Sequence, residues 1–121
     1  MLATTELLTV ERVGAMVILI PTSDLSEMAY ARLESEAGHV LSVFNDPSVQ
    51  NVVVDFSCTD YFGSTALAFL VRLWKRVTER KGRMVLCNLS EHEREVLHIT
   101  KLGRLWPVAT SRAEAMRLVG T

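Results

Sequence analysis

Hydrophobic positions along the chain fall into two kinds of stretch. Val52 to Phe56 and Met84 to Cys87 are short runs without polar alternation, the character of strands covered on both faces. Elsewhere apolar residues recur every three or four positions, first as Leu25, Ala29, Leu33, Ala37, Val40, Leu41 and Phe44, then as Leu67, Leu70, Val71, Trp74 and Val77. This spacing predicts two amphipathic helices, the second from Ser64 to about Arg80 with Arg72, Lys75, Arg76 and Glu79 outward. Near the start, the apolar runs Leu7 to Glu11 and Ala15 to Ile20 flank Arg12-Val13-Gly14, which predicts a hairpin with a glycine turn. Trp106 to Ala109 predicts a last short strand.

Polar residues punctuate this pattern at helix boundaries. Asp24 with Glu27, Ser90 with Glu93 and Ser111 with Glu114 each have capping-box spacing, in which side-chain oxygens satisfy the free N–H groups of a helix start. Asn45-Asp46-Pro47 ends the first helix, Gly82 the second, and Gly103 the third, which carries Val96, Leu97 and Leu102. The terminal helix carries Ala115, Met116 and Val119. Strands alternating with helices predict an α/β fold with a mixed central sheet of about four or five strands, about four helices, and right-handed crossovers.

Composition narrows the function classes. The 121 residues, 49% hydrophobic and 22% charged, suit one domain over 1–121 that buries a core without disulfides or metal. A net charge of -1 gives no global basic footprint, so no nucleic-acid partner is expected. The N-terminus lacks a basic lead before a long apolar run, and no uncharged stretch approaches the ~20 residues that cross a bilayer; a cytoplasmic protein without a membrane partner is expected. Cys58 and Cys87 are too few for a disulfide scaffold and read as buried small apolar residues in a reducing compartment.

The segment Val52 to Leu70, VVVDFSCTDYFGSTALAFL, joins a buried strand to a hydroxyl-rich helix start. Ser64 is expected there, either as an N-cap or as a hydroxyl whose phosphate the helix N-terminus favours by ~0.3–1 kcal/mol. Thr65 is a second hydroxyl, and Asp60 a nearby acid. Asp55 and Ser57 read as a structural turn at the strand end. Three histidines, His39, His92 and His98, are spread over two helices, and adjacent helical residues such as His92 and Glu93 do not face one another as ligands; neither metal nor cofactor is expected. Arg72, Lys75, Arg76, Arg80, Lys81 and Arg83 read as a solvated face. Trp74 reads as core, and Trp106 beside Pro107 as partly exposed at an interface. No Gly-x-Ser-x-Gly elbow, local His-acid pair or Gly-rich phosphate loop is present, so an enzyme is not expected.

Over nearly its whole length the chain resembles the STAS domain family of bacterial anti-sigma-factor antagonists. Asp24 matches the Asp that closes that family's turn after the second strand. Asp55-Phe56-Ser57 is similar to its Asp-Leu-Ser strand end, and Cys87-Asn88-Leu89-Ser90 to its Cys-Asn-x-Ser ending. Tyr61-Phe62-Gly63-Ser64-Thr65-Ala66-Leu67 lies where the family has aromatic-hydrophobic-Asp-Ser-Ser-Gly-Leu, with Gly63 in place of Asp and Ala66 in place of Gly. The resemblance implies a regulatory switch in bacterial signalling and transcription. Its phosphoacceptor is Ser64, its partner surface Asp24, Asp60, Tyr61, Gly63, Ser64 and Thr65, and its partner an anti-sigma factor that is itself a serine kinase. The sequence leaves open a homo-oligomer, weak nucleotide binding, and a phosphorylation-independent module in which Gly63 marks loss of the switch.

Overall fold

The predicted hairpin forms where Gly14 allows the chain to turn at φ +61°, a conformation glycine adopts without steric penalty. The computed structural model describes residues 2–4, 8–22, 38–61 and 63–120. In it β1 (Leu2–Thr4), β2 (Leu8–Val13) and β3 (Met16–Pro21) form an antiparallel meander. The chain then reaches helical residues 38–42, called α1, and a 3-10 turn at Val43–Asn45. From there β4 (Asn51–Asp55), α2 (Ser64–Glu79), β5 (Met84–Cys87), α3 (Glu91–Thr100), a second 3-10 turn at Leu102–Arg104, β6 (Val108–Ala109) and α4 (Arg112–Gly120) follow in order.

Strands line up in the sheet in sequence order, β1-β2-β3-β4-β5-β6. The pairs from β3 to β6 are parallel, which requires a crossover between each pair, and α2 and α3 supply two of them. The sheet is mixed, as expected, with β1 a short sixth strand on its edge that the hydrophobic pattern did not single out.

Central strands bury alternate residues on opposite faces. Val52, Val54, Met84 and Leu86 join Ala66, Phe69, Leu70, Leu73, Val77, Leu97 and Trp106 on one side. Val53, Val85 and Cys87 meet Ala115 and Val119 of α4 on the other. This two-sided covering is why those strands read as uninterrupted apolar runs.

Several expectations are corrected. Trp106 is 1% exposed and part of the core rather than an interface, because the chain turns inward between the 3-10 segment and β6. Cys58 is exposed whereas Cys87 is buried. The buried stripe of α2 is centred on Ala66, Phe69, Leu70, Leu73 and Val77, with Leu67, Val71 and Trp74 on its flank. Helix α3 ends at Thr100, and Lys101 at φ 62°, not Gly103, adopts the left-handed cap conformation. Gly82 is required for a different reason than ending α2. A Cβ there would lie 1.8 Å from the Gln50 carbonyl oxygen. Arg80 is not part of a solvated face, since its guanidinium donates to the carbonyls of Phe44, Asp46 and Val49. Asp24 and most of the first predicted helix lie outside the described residues. Among the described residues no helix is long and apolar enough to cross a membrane.

Candidate functional site

The parallel strands β4 and β5 end side by side, and the loops leaving their C-terminal ends carry the residues singled out above. Open α/β sheets present their functional loops at this edge. Asp55, the last residue of β4, is 2% exposed. Its Oδ1 accepts the Ser57 backbone N–H at 2.9 Å and Asn88 Nδ2 at 3.0 Å, and its Oδ2 accepts Arg112 Nε at 2.8 Å. Burial opposes ionisation of Asp55, but the hydrogen bonds from Asn88, Ser57 and Arg112 outweigh it and hold the carboxyl below its usual range. Arg112 also reaches Glu11 on β2 at 3.2 Å. The strand end is thereby tied to β2, the β5 loop and α4, with the structural role expected of Asp55 and Ser57.

The loop residues Thr59 and Asp60 are clamped to the start of α3. Ser90 caps α3 in a full capping box, accepting the Glu93 N–H at 3.1 Å while Glu93 Oε1 accepts the Ser90 N–H at 2.9 Å. Those two side chains also hold the neighbouring loop. Ser90 Oγ donates to the Asp60 carbonyl at 2.8 Å, and Thr59 Oγ1 donates to Glu93 Oε2 at 3.0 Å. Glu93 is fully buried, and that burial raises its carboxyl above the usual range despite these bonds. Tyr61 stacks on His92 with ring centroids 5.1 Å apart and planes 20° from parallel.

Beyond the clamp the chain enters α2 with Gly63 as N-cap and Ser64 as the first helical residue. Ser64 is therefore not the capping residue, one of the two roles expected of it. Gly63, as N-cap, has no side chain to offer this helix start, and no acid stands in the first turn of α2, where the helix dipole is positive. Ser64, Asp60 and Tyr61 are exposed, Gly63 is half-buried, and Thr65 follows in the first turn of the helix. Five of the six expected partner residues thus fall on one loop and helix start, the sixth being Asp24.

Sequence reasoning does not single out Thr59 or Arg112, and it considers His92 only as a metal ligand, not as the stacking partner of Tyr61. The Ser90-Glu93 spacing announced a cap, but nothing local showed that the same side chains bind a loop 30 residues earlier. Among the described residues no cluster of three or more His, Cys, Asp or Glu side chains is arranged to hold a metal ion.

A family profile for the STAS domain matches residues 8–115. The chain belongs to the STAS domain family. BtrV of Bordetella bronchiseptica, provisionally named an anti-sigma factor antagonist, is 31% identical over 108 residues, spanning 89% of this chain and 90% of its own. A Thermotoga maritima protein with the same provisional description superposes with TM-score 0.83 at 22% identity, covering 96% of this chain and 97% of that one. The Bacillus anti-sigma factor antagonist SpoIIAA superposes in its unphosphorylated form with TM-score 0.77 at 19% identity, over 94% of this chain and 97% of its own. In its phosphorylated form the TM-score is 0.67 at 18% identity, over 92% and 98%. These two proteins share the STAS fold with this chain, and its β4–α2 junction belongs to that fold.

Proposed function

We propose that this STAS domain is an anti-sigma factor antagonist that binds its partner through the β4–α2 junction and is released by phosphorylation of Ser64. The observation that carries this reading is an exposed serine as the first residue of α2, directly after the N-cap Gly63 and with no acid in the helix's first turn. Phosphorylation adds ≈ −1.5 to −2 charges and three strong acceptors at that point. The helix N-terminus favours such charge by ~0.3–1 kcal/mol, so the domain stays folded while a surface shaped for a neutral hydroxyl is repelled. Asp60, Tyr61, Gly63 and Thr65 frame the contact, and Asp24 joins them by family resemblance. The partner is an anti-sigma factor of the serine-kinase type, and the domain acts by binding rather than by catalysis. BtrV, whose name describes the same activity, supports the assignment by similarity over most of both chains.

Gly63 favours a second reading. It stands where the family has an Asp next to the acceptor, and without that carboxylate the same surface serves as a phosphorylation-independent docking module. Incubation with the cognate serine kinase and ATP, followed by mass spectrometry of wild type and Ser64→Ala, separates the two. The switch reading expects one phosphate on wild type and none on the variant. Phosphate persisting on Ser64→Ala refutes Ser64 as the acceptor, and an unlabelled wild type that still binds its partner establishes the second reading.

A further inference from the structure

The opposite end of α3 carries a second surface that the switch does not use. A groove of about 550 Å³ runs between α3 and β6. Arg94, His98 and Lys101 line it from one face of α3 and its cap, and Arg104 also lines it. No acidic side chain lines it. The side chains of Arg94, Lys101 and Arg104 enter no ion pair or hydrogen bond among the described residues, although the chain as a whole has net charge -1. Three cations are thus gathered around one groove with no ion-pair partner among the described residues.

The groove's other wall is a sheet edge. Among the described residues β6 is the last strand in the order and pairs only with β5. The Pro107 carbonyl accepts the Leu86 N–H at 3.0 Å, and alternate residues of a parallel ladder turn their backbone groups to the same side. Val108 therefore turns its N–H and C=O away from β5, toward the open edge, and its side chain is 40% exposed. The next outward N–H, that of Thr110, is already taken by Glu114 Oε1 at 3.1 Å. An edge strand beside a helix is the arrangement in which extended peptides dock by strand addition. Here one backbone pair is on offer, so the cations supply most of the selectivity.

The geometry points to this groove as a docking site for an extended acidic peptide segment of a partner protein, paired to Val108 along β6 with its carboxylates toward Arg94, Lys101 and Arg104. Leu89, Leu97 and Val108 give the groove an apolar floor that suits alternating acidic and aliphatic residues. The site is distinct from the β4–α2 junction and does not depend on the state of Ser64.

The test uses the full chain and a fluorescein-labelled hexapeptide of alternating Glu and Val, with the Lys-Val hexapeptide as control. Anisotropy should rise for the acidic peptide only, and amide shifts in a 15N spectrum should centre on Val108, Ala109 and the second half of α3. Arg94→Glu with Lys101→Glu should weaken binding by about tenfold or more, as loss of complementary charge at an interface does, while Ser64→Asp leaves it unchanged. Both reversed residues are exposed, and the spectrum of the double variant reports whether the fold is kept. Arg94→Ala with Lys101→Ala should weaken binding in the same direction. Equal binding of the Lys-Val peptide, undiminished affinity in a folded double variant, or shifts centred elsewhere would overturn the proposal. Complete displacement by millimolar inorganic phosphate would also overturn it, replacing the peptide site by a small-anion site.

Discussion

Arg112→Ala tests the anchor beneath the switch loop. Asp55 is the sensitive partner, since its side chain is 3% exposed whereas that of Arg112 is 36% exposed. Deleting one member of a fully buried pair costs roughly 3–5 kcal/mol, because the remaining charge is left unpaired in the interior. Asp55 keeps two other donors, Ser57 N–H and Asn88 Nδ2, and the half-exposed Arg112 position admits water, so about 1–2 kcal/mol is expected. The Arg112–Glu11 contact provides the internal control. Both of its side chains are more than a third exposed, so Glu11→Ala is expected to cost only ~0–1 kcal/mol.

Urea unfolding followed by circular dichroism at neutral pH gives both numbers, and a cycle through Asp55→Asn isolates the Asp55–Arg112 coupling. The pH dependence fixes the sign independently. Asp55 has a folded value below its unfolded value of about 3.9, so its contribution is present above that pH and lost as acid carries the pH down through the folded value. The gap between wild type and Arg112→Ala should close along that descent. Arg112→Ala costing no more than Glu11→Ala, or a gap unchanged in acid, would refute the anchoring role.

Gly82→Ala should cost ~1–3 kcal/mol in thermal melting, because its Cβ would meet the Gln50 carbonyl and that segment is pinned by the Gln50 N–H to the Ala15 carbonyl at 2.8 Å; a melting temperature like that of wild type would contradict the close approach. Glu93→Gln should flatten the stability profile on the alkaline side of about pH 4.3, the unfolded value, since burial raises the folded value and wild type loses stability as the pH climbs through it. Identical slopes for the two proteins would show that Glu93 does not titrate in that window. Ser64→Asp should weaken binding to the anti-sigma factor in a pull-down or calorimetric titration while leaving the unfolding midpoint nearly unchanged, and full affinity in a folded variant would count against control at this position.

The sequence made local features visible and long-range ones invisible. The glycine turn at Gly14, the two-face strands β4 and β5, and the Ser90-Glu93 box depend on residues within a few positions of one another, and each stands where its pattern placed it. Arg112 and Asp55 are 57 residues apart and Thr59 and Glu93 are 34 apart, so no periodicity connects them. Trp106 and Cys58 depart from the expectation for related reasons. Proline after Trp106 marks a bend without saying whether the bend carries the ring inward, and Cys58 follows a buried strand yet occupies the outer side of the tight turn closed by Thr59 N–H to the Phe56 carbonyl at 3.1 Å. The predicted stripe of α2 lies partly off-centre because Leu67, Val71 and Trp74 flank the core positions Phe69, Leu70 and Leu73.

Under the proposed function, the arrangement of hydrogen bonds around the junction would let a switch at Ser64 alter recognition without altering the fold. The Arg112 guanidinium is already engaged by Asp55 through Nε and by Glu11 through an Nη, so a phosphate on Ser64 would have to compete with two carboxylates to recruit that cation. The loop itself is fastened through the Asp60 carbonyl and the Thr59 hydroxyl, neither of which is charged. A dianion at Ser64 would meet the N–H groups of the first turn of α2, which favour negative charge at a helix start. Under the proposed function, the energetic consequence of the modification falls on the incoming partner, which must desolvate that charge, rather than on the core that presents it.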